Sequence, residues 1–477
     1  MISSDEMAVV DANAEALGVP RKQLMESAGG AVARVVRAVA DPGASVALVC
    51  GRGNNGGDAF VAARFLRAFD VTVHLLGRPE TVSSSIAREN FDALEATDAE
   101  VRIVRDSTAF DLRAPDVVVD AMLGTGAAGA LWEPEATATA RINAAEAAVV
   151  AVDVPSGIDA DTGRSEGPAV EADRVVTFHD GKPGLERIDA EVTVADIGIP
   201  AAAETTVERG DLLRLSRDRS AHKGDSGAVL VVGGGPYTGA PALAAQAALR
   251  AGADLSYVAC PEPIAAEVQG YSENLIVEAL ASERLRSDHV PELASLSETV
   301  DSVVIGPGIG DSSETIAAVE RFLSGFDGTA VVDAEALGAV VGLETDATLV
   351  CTPHRGELEA MGCTVDDPVE AADRIEAFAA DLGVTLLVKG PTDVVTDGDS
   401  TRYNRSGNPG MTVGGTGDVL AGVTGAMTCR LDPHPAASLG AYATGRAGDL
   451  AAETNGNGLV ATDLLGSLPR ALWPDGA

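Results

Sequence analysis

Along the whole chain, short runs of β-branched and other apolar residues alternate with glycine turns and Ala/Leu-rich stretches of helical character. In the first half the apolar runs cover 46–50, 71–76, 101–104, 117–121, 148–153 and 174–178, and helical stretches cover 21–40, 58–69, 84–96 and 135–147. A strand that is apolar at every position, rather than at every second one, is covered on both faces. That is the pattern of a parallel sheet packed between helices. The pattern restarts at 228–232 and continues through 255–259, 302–305, 329–332, 348–351 and 384–389. Between the halves, 208–226 is polar and Arg-rich and carries no long apolar run. The chain is therefore expected to form two doubly wound α/β domains, 1–210 and 217–477.

Composition narrows the class. Hydrophobic residues make up 46% of the 477 and aromatics only 3%, so the cores must be built from Ala, Val and Leu. No run approaches the roughly 20 apolar residues of a membrane span, and the first residues lack the pattern of a secretory signal. The five cysteines form no CxxC pair, which points to reduced thiols in a cytoplasm and away from a zinc site. A net charge of −38 excludes nucleic acid and anionic membranes as partners. Because the acids are dispersed, the charge belongs to a folded, halophilic type of surface in a salty cytosol, where screening reduces self-repulsion. Only four lysines stand against thirty arginines, and three of them, Lys182, Lys223 and Lys389, lie beside glycine in motif-like segments. A homo-oligomer is expected.

Chemistry in the first half collects at strand ends. Gly51-Arg52-Gly53-Asn54-Asn55-Gly56-Gly57-Asp58 follows the first run. Taken literally it is the GxGxxG of a dinucleotide-binding oxidoreductase. Two features count against that reading. The next strand ends at Leu76-Gly77-Arg78 with no acid for a ribose, and Asn-Asn-Gly-Gly-Asp is more polar than a pyrophosphate turn needs. Asn oxygens suit a hard cation and glycine amides suit phosphate. Asp120 with Gly124-Thr125-Gly126 ends a second strand, and Asp153 with Ser156 a third. Singly, each is as well read as a capping acid in a βα turn. Together they converge at the carboxyl edge of a sheet, where ligands bind.

These segments resemble the YjeF N-terminal family of NAD(P)HX epimerases, over about residues 1–205. NAD(P)HX is NADH or NADPH that has gained water across a ring double bond. The resemblance implies a Rossmann-like fold. It also implies that the damaged dinucleotide is held by Asn54, Asn55, Gly56, Gly57 and Asp58 and by Gly124, Thr125, Gly126, Ala127, Ala128, Gly129 and Ala130. Asn55, Asp120 and Ser156 would ligate a potassium ion, and Asp153 would contact the nicotinamide ring as general acid/base. Lys182 falls in a further family segment. Ala59 stands where the family usually has glycine.

In the second half, Val413-Gly414-Gly415-Thr416-Gly417-Asp418-Val419-Leu420 sets glycines before an apolar helical stretch. Backbone N–H groups there can converge on an anion. A carboxylate at that place would repel a phosphate unless it takes a proton from the attacking hydroxyl. The bland alternative is a glycine turn with Asp418 as its helix cap. Gly233-Gly234-Gly235, Gly306-Pro307-Gly308, Thr352-Pro353-His354-Arg355-Gly356-Glu357 and Lys389-Gly390-Pro391-Thr392-Asp393 also follow apolar runs. No GxxxxGK[ST] exists, so a P-loop enzyme is excluded.

This half resembles the ribokinase-like superfamily, and within it the ADP-dependent NAD(P)HX dehydratases, over about residues 219–472. The resemblance implies contact of Ala240, Gly308, His354 and Asp418 with the hydrated dinucleotide. Lys389, Gly390, Pro391, Thr392 and Asp393 would contact the adenine nucleotide, together with the amides of Gly414, Gly415, Thr416 and Gly417, and magnesium would accompany its phosphates. Pro391 removes one backbone donor from the lysine loop. The combined expectation is a bifunctional repair enzyme. Its first domain would interconvert the R and S epimers, and its second would dehydrate the S form with ADP to NAD(P)H, AMP and phosphate. The alternative is a vitamin-precursor kinase fused to a non-catalytic nucleotide-binding module.

Overall fold

The computed structural model describes residues 1–126, 129–215, 222 and 224–474, in two compact α/β units, Met1–Ala203 and Glu204–Ala477. The first unit holds seven strands: β1 (Ser45–Cys50), β2 (Asp70–Leu76), β3 (Glu100–Val104), β4 (Val117–Ala121), β5 (Ala148–Val152), β6 (Arg174–Phe178) and β7 (Glu191–Ala195). They are parallel and run in the order β3-β2-β1-β4-β5-β6-β7. Val46, Leu48 and Cys50 join one apolar cluster and Ala47 and Val49 another, so β1 is apolar at successive positions because it packs on both faces.

The second unit repeats the arrangement with β8 (Ala228–Val232), β9 (Leu255–Pro261), β10 (Ile276–Leu280), β11 (Ser302–Ile305), β12 (Thr329–Val332), β13 (Thr348–Cys351), β14 (Thr385–Val388), β15 (Asp393–Thr396) and β16 (Thr401–Asn404). Their order is β10-β9-β8-β11-β12-β13-β14-β15-β16, with β15 and β16 antiparallel and the rest parallel. Each sheet thus reverses direction next to its own first strand, between β1 and β4 and between β8 and β11. Ligands bind at such switch points, outside the carboxyl ends of the strands.

Three expectations change. The helix expected over 58–69 is Asn54–Phe65, so Asn-Asn-Gly-Gly-Asp forms its first turns rather than a loop. Small residues allow this: a Cβ on Gly56 would stand 2.2 Å from Gly51 O, and one on Gly57 would stand 2.7 Å from Met25 Cε. The strand expected to include Asp153 stops at Val152, because Asp153 adopts φ +66°. Residues 204–210, expected with the first domain, pack within the second unit. There Val207 N donates to Tyr403 O at 2.9 Å, and Arg402, on β16, donates to Thr206 O at 3.0 Å and Asp211 Oδ2 at 2.9 Å. Among the described residues no helix is long and apolar enough to cross a membrane.

Candidate functional site

The first candidate site lies at the carboxyl ends of β1, β4 and β5. β1 turns at Gly51, where a Cβ would stand 1.8 Å from Met122 O, so only glycine lets the two strand ends approach. The chain then enters the Asn54–Phe65 helix, which has no side-chain cap. Asn55 Nδ2 donates to Leu123 O at 2.7 Å, and Leu123 N donates to Ser156 Oγ at 3.0 Å. Ser156 in turn donates to both oxygens of Asp120, Oγ to Oδ1 at 2.7 Å and N to Oδ2 at 2.8 Å. Asn55, Asp120 and Ser156, far apart in sequence, thus meet around Leu123. Gly124 lies against the Asn55 side chain, Thr125 is half-buried, and Gly126, Gly129 and Ala130 are exposed. Ala127 and Ala128 lie outside the described residues.

Asp120 is completely buried, and burial raises its carboxyl to about 6 against hydrogen bonds from Ser156 and Met122. Among the described residues no cationic side chain offsets it. A buried carboxylate flanked by neutral amide, hydroxyl and carbonyl oxygens fits a hard cation.

Asp153 sits beside this cluster. Thr177 Oγ1 donates to its Oδ1 at 3.1 Å, and Lys182 Nζ lies 3.7 Å from the same oxygen. Lys182 is 1% exposed and also donates to Thr177 Oγ1, Phe178 O and Asp180 O. Asp58 is raised well above the usual carboxylate range by burial, then by Asp153 and Asp11. Asp11, from the helix Ser4–Ala16, is itself raised to about 6 by burial, against Arg21, with Asp153 raising it further. Asp11, Asp58 and Asp153 therefore lie with the buried Lys182 at the same end of the sheet as Asp120.

The second candidate site lies at the carboxyl ends of β8 and β11–β14. Gly308 follows β11 and lies 3.0 Å, measured from a Cβ built on it, from Ala240 Cβ in the helix Gly239–Arg250. Lys389 follows β14, and His354 bridges it in a short parallel pairing. His354 caps the helix Arg355–Met361, accepting from Glu357 N at 3.1 Å, and its side chain is 59% exposed. Pro391 and Thr392 occupy the turn before β15. That turn is closed by Gly390 N donating to Asp393 Oδ1 at 2.9 Å.

Gly414 and Gly415 lead into the helix Thr416–Thr428, where Gly415 takes φ +96°. No side chain caps that start, so Asp418 is not its cap, and the first amides are left for another acceptor. Thr416 Oγ1 turns away to Met411 O and Val413 O. Lys389 Nζ stands 3.6 Å from where a Gly417 Cβ would be. Burial works against the Lys389 ammonium, but Asp333 and Glu357 outweigh it and raise its pKa. Asp418 is pushed up to about 7, first by burial and then by Asp333, while Lys389 pulls it down. A half-buried acid of that pKa, one helical turn from free amides and a lysine, can serve as a base to a hydroxyl attacking phosphorus.

Residues 21–184 match the family described as YjeF-related protein N-terminus, and residues 228–470 that of NAD(P)H-hydrate dehydratase. The chain is 42% identical to the bifunctional NAD(P)H-hydrate repair enzyme Nnr of Methanothermobacter thermautotrophicus, covering 98% of this chain and 95% of the relative. The corresponding protein of Archaeoglobus fulgidus is 43% identical, with 99% and 98% covered. The chain belongs to the bifunctional NAD(P)H-hydrate repair enzymes. Among solved structures, the ADP/ATP-dependent NAD(P)H-hydrate dehydratase of Bacillus subtilis, co-crystallised with ATP and Mg2+, is similar at 27% identity. Its TM-score is 0.48, over 54% of this chain and 93% of that one.

For a member of the NAD(P)H-hydrate repair family, sequence reading passed over Asp333, Glu335 and Asp11. Asp333 and Glu335 stand in Val332-Asp333-Ala334-Glu335, an acid directly after an apolar run, the same signal that drew attention to Asp120. Asp11 lies in a helix with no clear apolar stripe, and nothing in the sequence points to it.

Proposed function

We propose that the chain repairs hydrated nicotinamide dinucleotides. The first unit interconverts R- and S-NAD(P)HX, and the second dehydrates the S form at the expense of ADP, giving NAD(P)H, AMP and phosphate. The observation that carries the dehydratase half is Asp418 beside the uncapped helix start and Lys389. In this reading Asp418 takes the proton of the substrate hydroxyl as its oxygen bonds to the terminal phosphorus of ADP. The bond from that phosphorus to the AMP oxygen breaks. The amides of Gly414, Gly415, Thr416 and Gly417 receive the phosphate oxygens, and Lys389 faces the same charge. Phosphate then leaves the ring carbon with its bonding electrons, and loss of a ring proton restores the double bond. Ala240, Gly308 and His354 line the dinucleotide side. Gly390, Pro391, Thr392 and Asp393 line the nucleotide side.

In the first unit, Asp153 is the acid/base at the hydrated ring. Thr177 and Lys182 both hold its Oδ1, which leaves Oδ2 available. Asn54, Asn55, Gly56, Gly57 and Asp58 receive the rest of the dinucleotide, together with Gly124, Thr125, Gly126, Gly129 and Ala130. Asn55, Asp120, Ser156 and Leu123 O would hold potassium, which would supply positive charge beside the substrate's phosphates. Magnesium belongs with the nucleotide phosphates. A cytoplasmic location and self-association belong to the same reading, and light scattering of the purified chain measures the latter.

The test is incubation with mixed R- and S-NADHX and either ADP or ATP, following absorbance of reduced nicotinamide and released phosphate. Full recovery of NADH with equimolar phosphate is expected. A stable phosphate ester without NADH would mean a simple kinase instead.

A further inference from the structure

Asp333 is the buried acid that the mechanism has not yet used. It follows β12 and is 3% exposed. Its Oδ1 accepts from Lys389 Nζ at 2.9 Å and from Thr352 Oγ1 at 2.6 Å. Its backbone N donates to Ile305 O at 3.0 Å, and its carbonyl touches Gly306, where a Cβ would stand 1.9 Å away. The next residue, Ala334, takes φ +52°, a left-handed conformation rarely held by a residue other than glycine. The ends of β13 and β14 therefore meet the side chain of Asp333 at the end of β12, and the end of β11 meets its backbone.

Lysine is a flexible point charge, so where its ammonium stands depends on what holds it. Here Asp333 holds it from one side and Glu357 Oε2, at 3.5 Å, from another. We propose that Asp333 is a positioning residue of the phosphoryl-transfer site, fixing the Lys389 ammonium against the helix start at Gly417. This rests on the reading that those amides receive a phosphate. A buried carboxylate is costly unless its oxygens are satisfied, and Lys389 and Thr352 supply the partners. The placement has a second effect. After burial, the Asp333 charge is what most raises the proton affinity of Asp418, with Glu335 adding and Lys389 opposing. The other titratable groups at this place among the described residues are Glu357, His354, which contacts Glu357, Asp393, which burial raises and Lys389 opposes, and Cys351, whose thiol burial and Asp333 push up to about 12.

The test uses the full chain with Asp333→Asn, Lys389→Met and the double variant, in steady-state dehydratase assays with ADP across pH. Removing one partner of a buried charge pair should raise KM for ADP at least about 10-fold and lower kcat. The acid limb of the kcat/KM profile should move to lower pH. In the Lys389→Met background, at a pH above the acid limb, Asp333→Asn should cost less than about twofold more, because its effect on the rate there passes through the lysine. Additive losses, or an acid limb that stays in place, would overturn the inference. Urea unfolding of each variant followed by circular dichroism, with the transition of the second unit read separately, reports that this unit remains folded. Should Asp333→Asn fail to fold, Thr352→Val, which removes the second bond to Oδ1, should raise KM for ADP about threefold with kcat held. No change in KM overturns it equally. A wild-type chain that recovers no NADH would instead sink the functional reading on which this rests.

Discussion

Asp418 holds its proton to about 7, chiefly through burial, and this sets both how it works and what it costs. As a base it must be ionised, so the dehydratase rate should fall as pH drops through about 7. For stability the sign runs the other way. The folded pKa lies above the usual 3.8, so the contribution is complete below 3.8 and is lost as pH rises through 7. Asp418→Asn should therefore lose about 10²-fold or more in dehydratase rate. Its Tm at pH 8 should equal or exceed that of the wild type. Rate assays and thermal scans of the one purified variant check both, and near-normal turnover would remove Asp418 from the mechanism. Asp418 was legible in the sequence because glycines surround it. Asp333 was not, because its importance comes from Lys389 and Thr352, which reach it only once β12, β13 and β14 are side by side.

Helix starts carry the chemistry at the element scale, and Gly415 shows why small residues stand there. An added Cβ would stand 2.8 Å from Leu243 Cδ1 and 3.0 Å from Ala461 Cβ, in a residue with φ +96°. Gly415→Ala should cost about 1–3 kcal/mol of stability in urea unfolding. It should also depress dehydratase activity by more than the fraction of the second unit unfolded in the same buffer; a loss equal to that fraction would point to unfolding of the unit instead. The central strands were legible because they are buried on both faces. β7 and β10, each buried only at its last position, were not, and neither were the four-residue β15 and β16. These strands lack a continuous apolar run. The helix Ser4–Ala16 buries only Met7, Val9, Val10, Asn13 and Ala14, too few at helical spacing to stand out.

For the whole molecule, cutting the chain tests where one unit ends. Arg402 is held by Asp211 and by the carbonyls of Glu204 and Thr206. A fragment 204–477 should therefore unfold at a higher temperature than 217–477, which leaves that guanidinium without these partners. Either fragment should repair S-NADHX, and R-NADHX only as fast as it epimerises unaided. Salt tests the other unit. At molar ionic strength the charge of −38 is screened to about 3 Å in KCl and NaCl alike. Epimerase activity should nonetheless be higher in KCl, and Asp120→Ala should abolish the difference. Identical rates in the two salts, with the protein folded in both, would leave Asp120 as a turn-forming residue.

The strand order also governs the chain during its synthesis. In each sheet the strand made first ends up inside, with β2 and β3 added on one side of β1 before β4 closes the other. About 65 residues separate the end of β1 from the start of β4. At roughly 5–20 residues per second, the second edge of β1 waits about 3–13 seconds on the ribosome before its neighbour emerges. The same delay recurs between β8 and β11, where the waiting edge is Ala-Val-Leu-Val-Val. An apolar, unpaired edge of that kind is a template for pairing with other nascent chains.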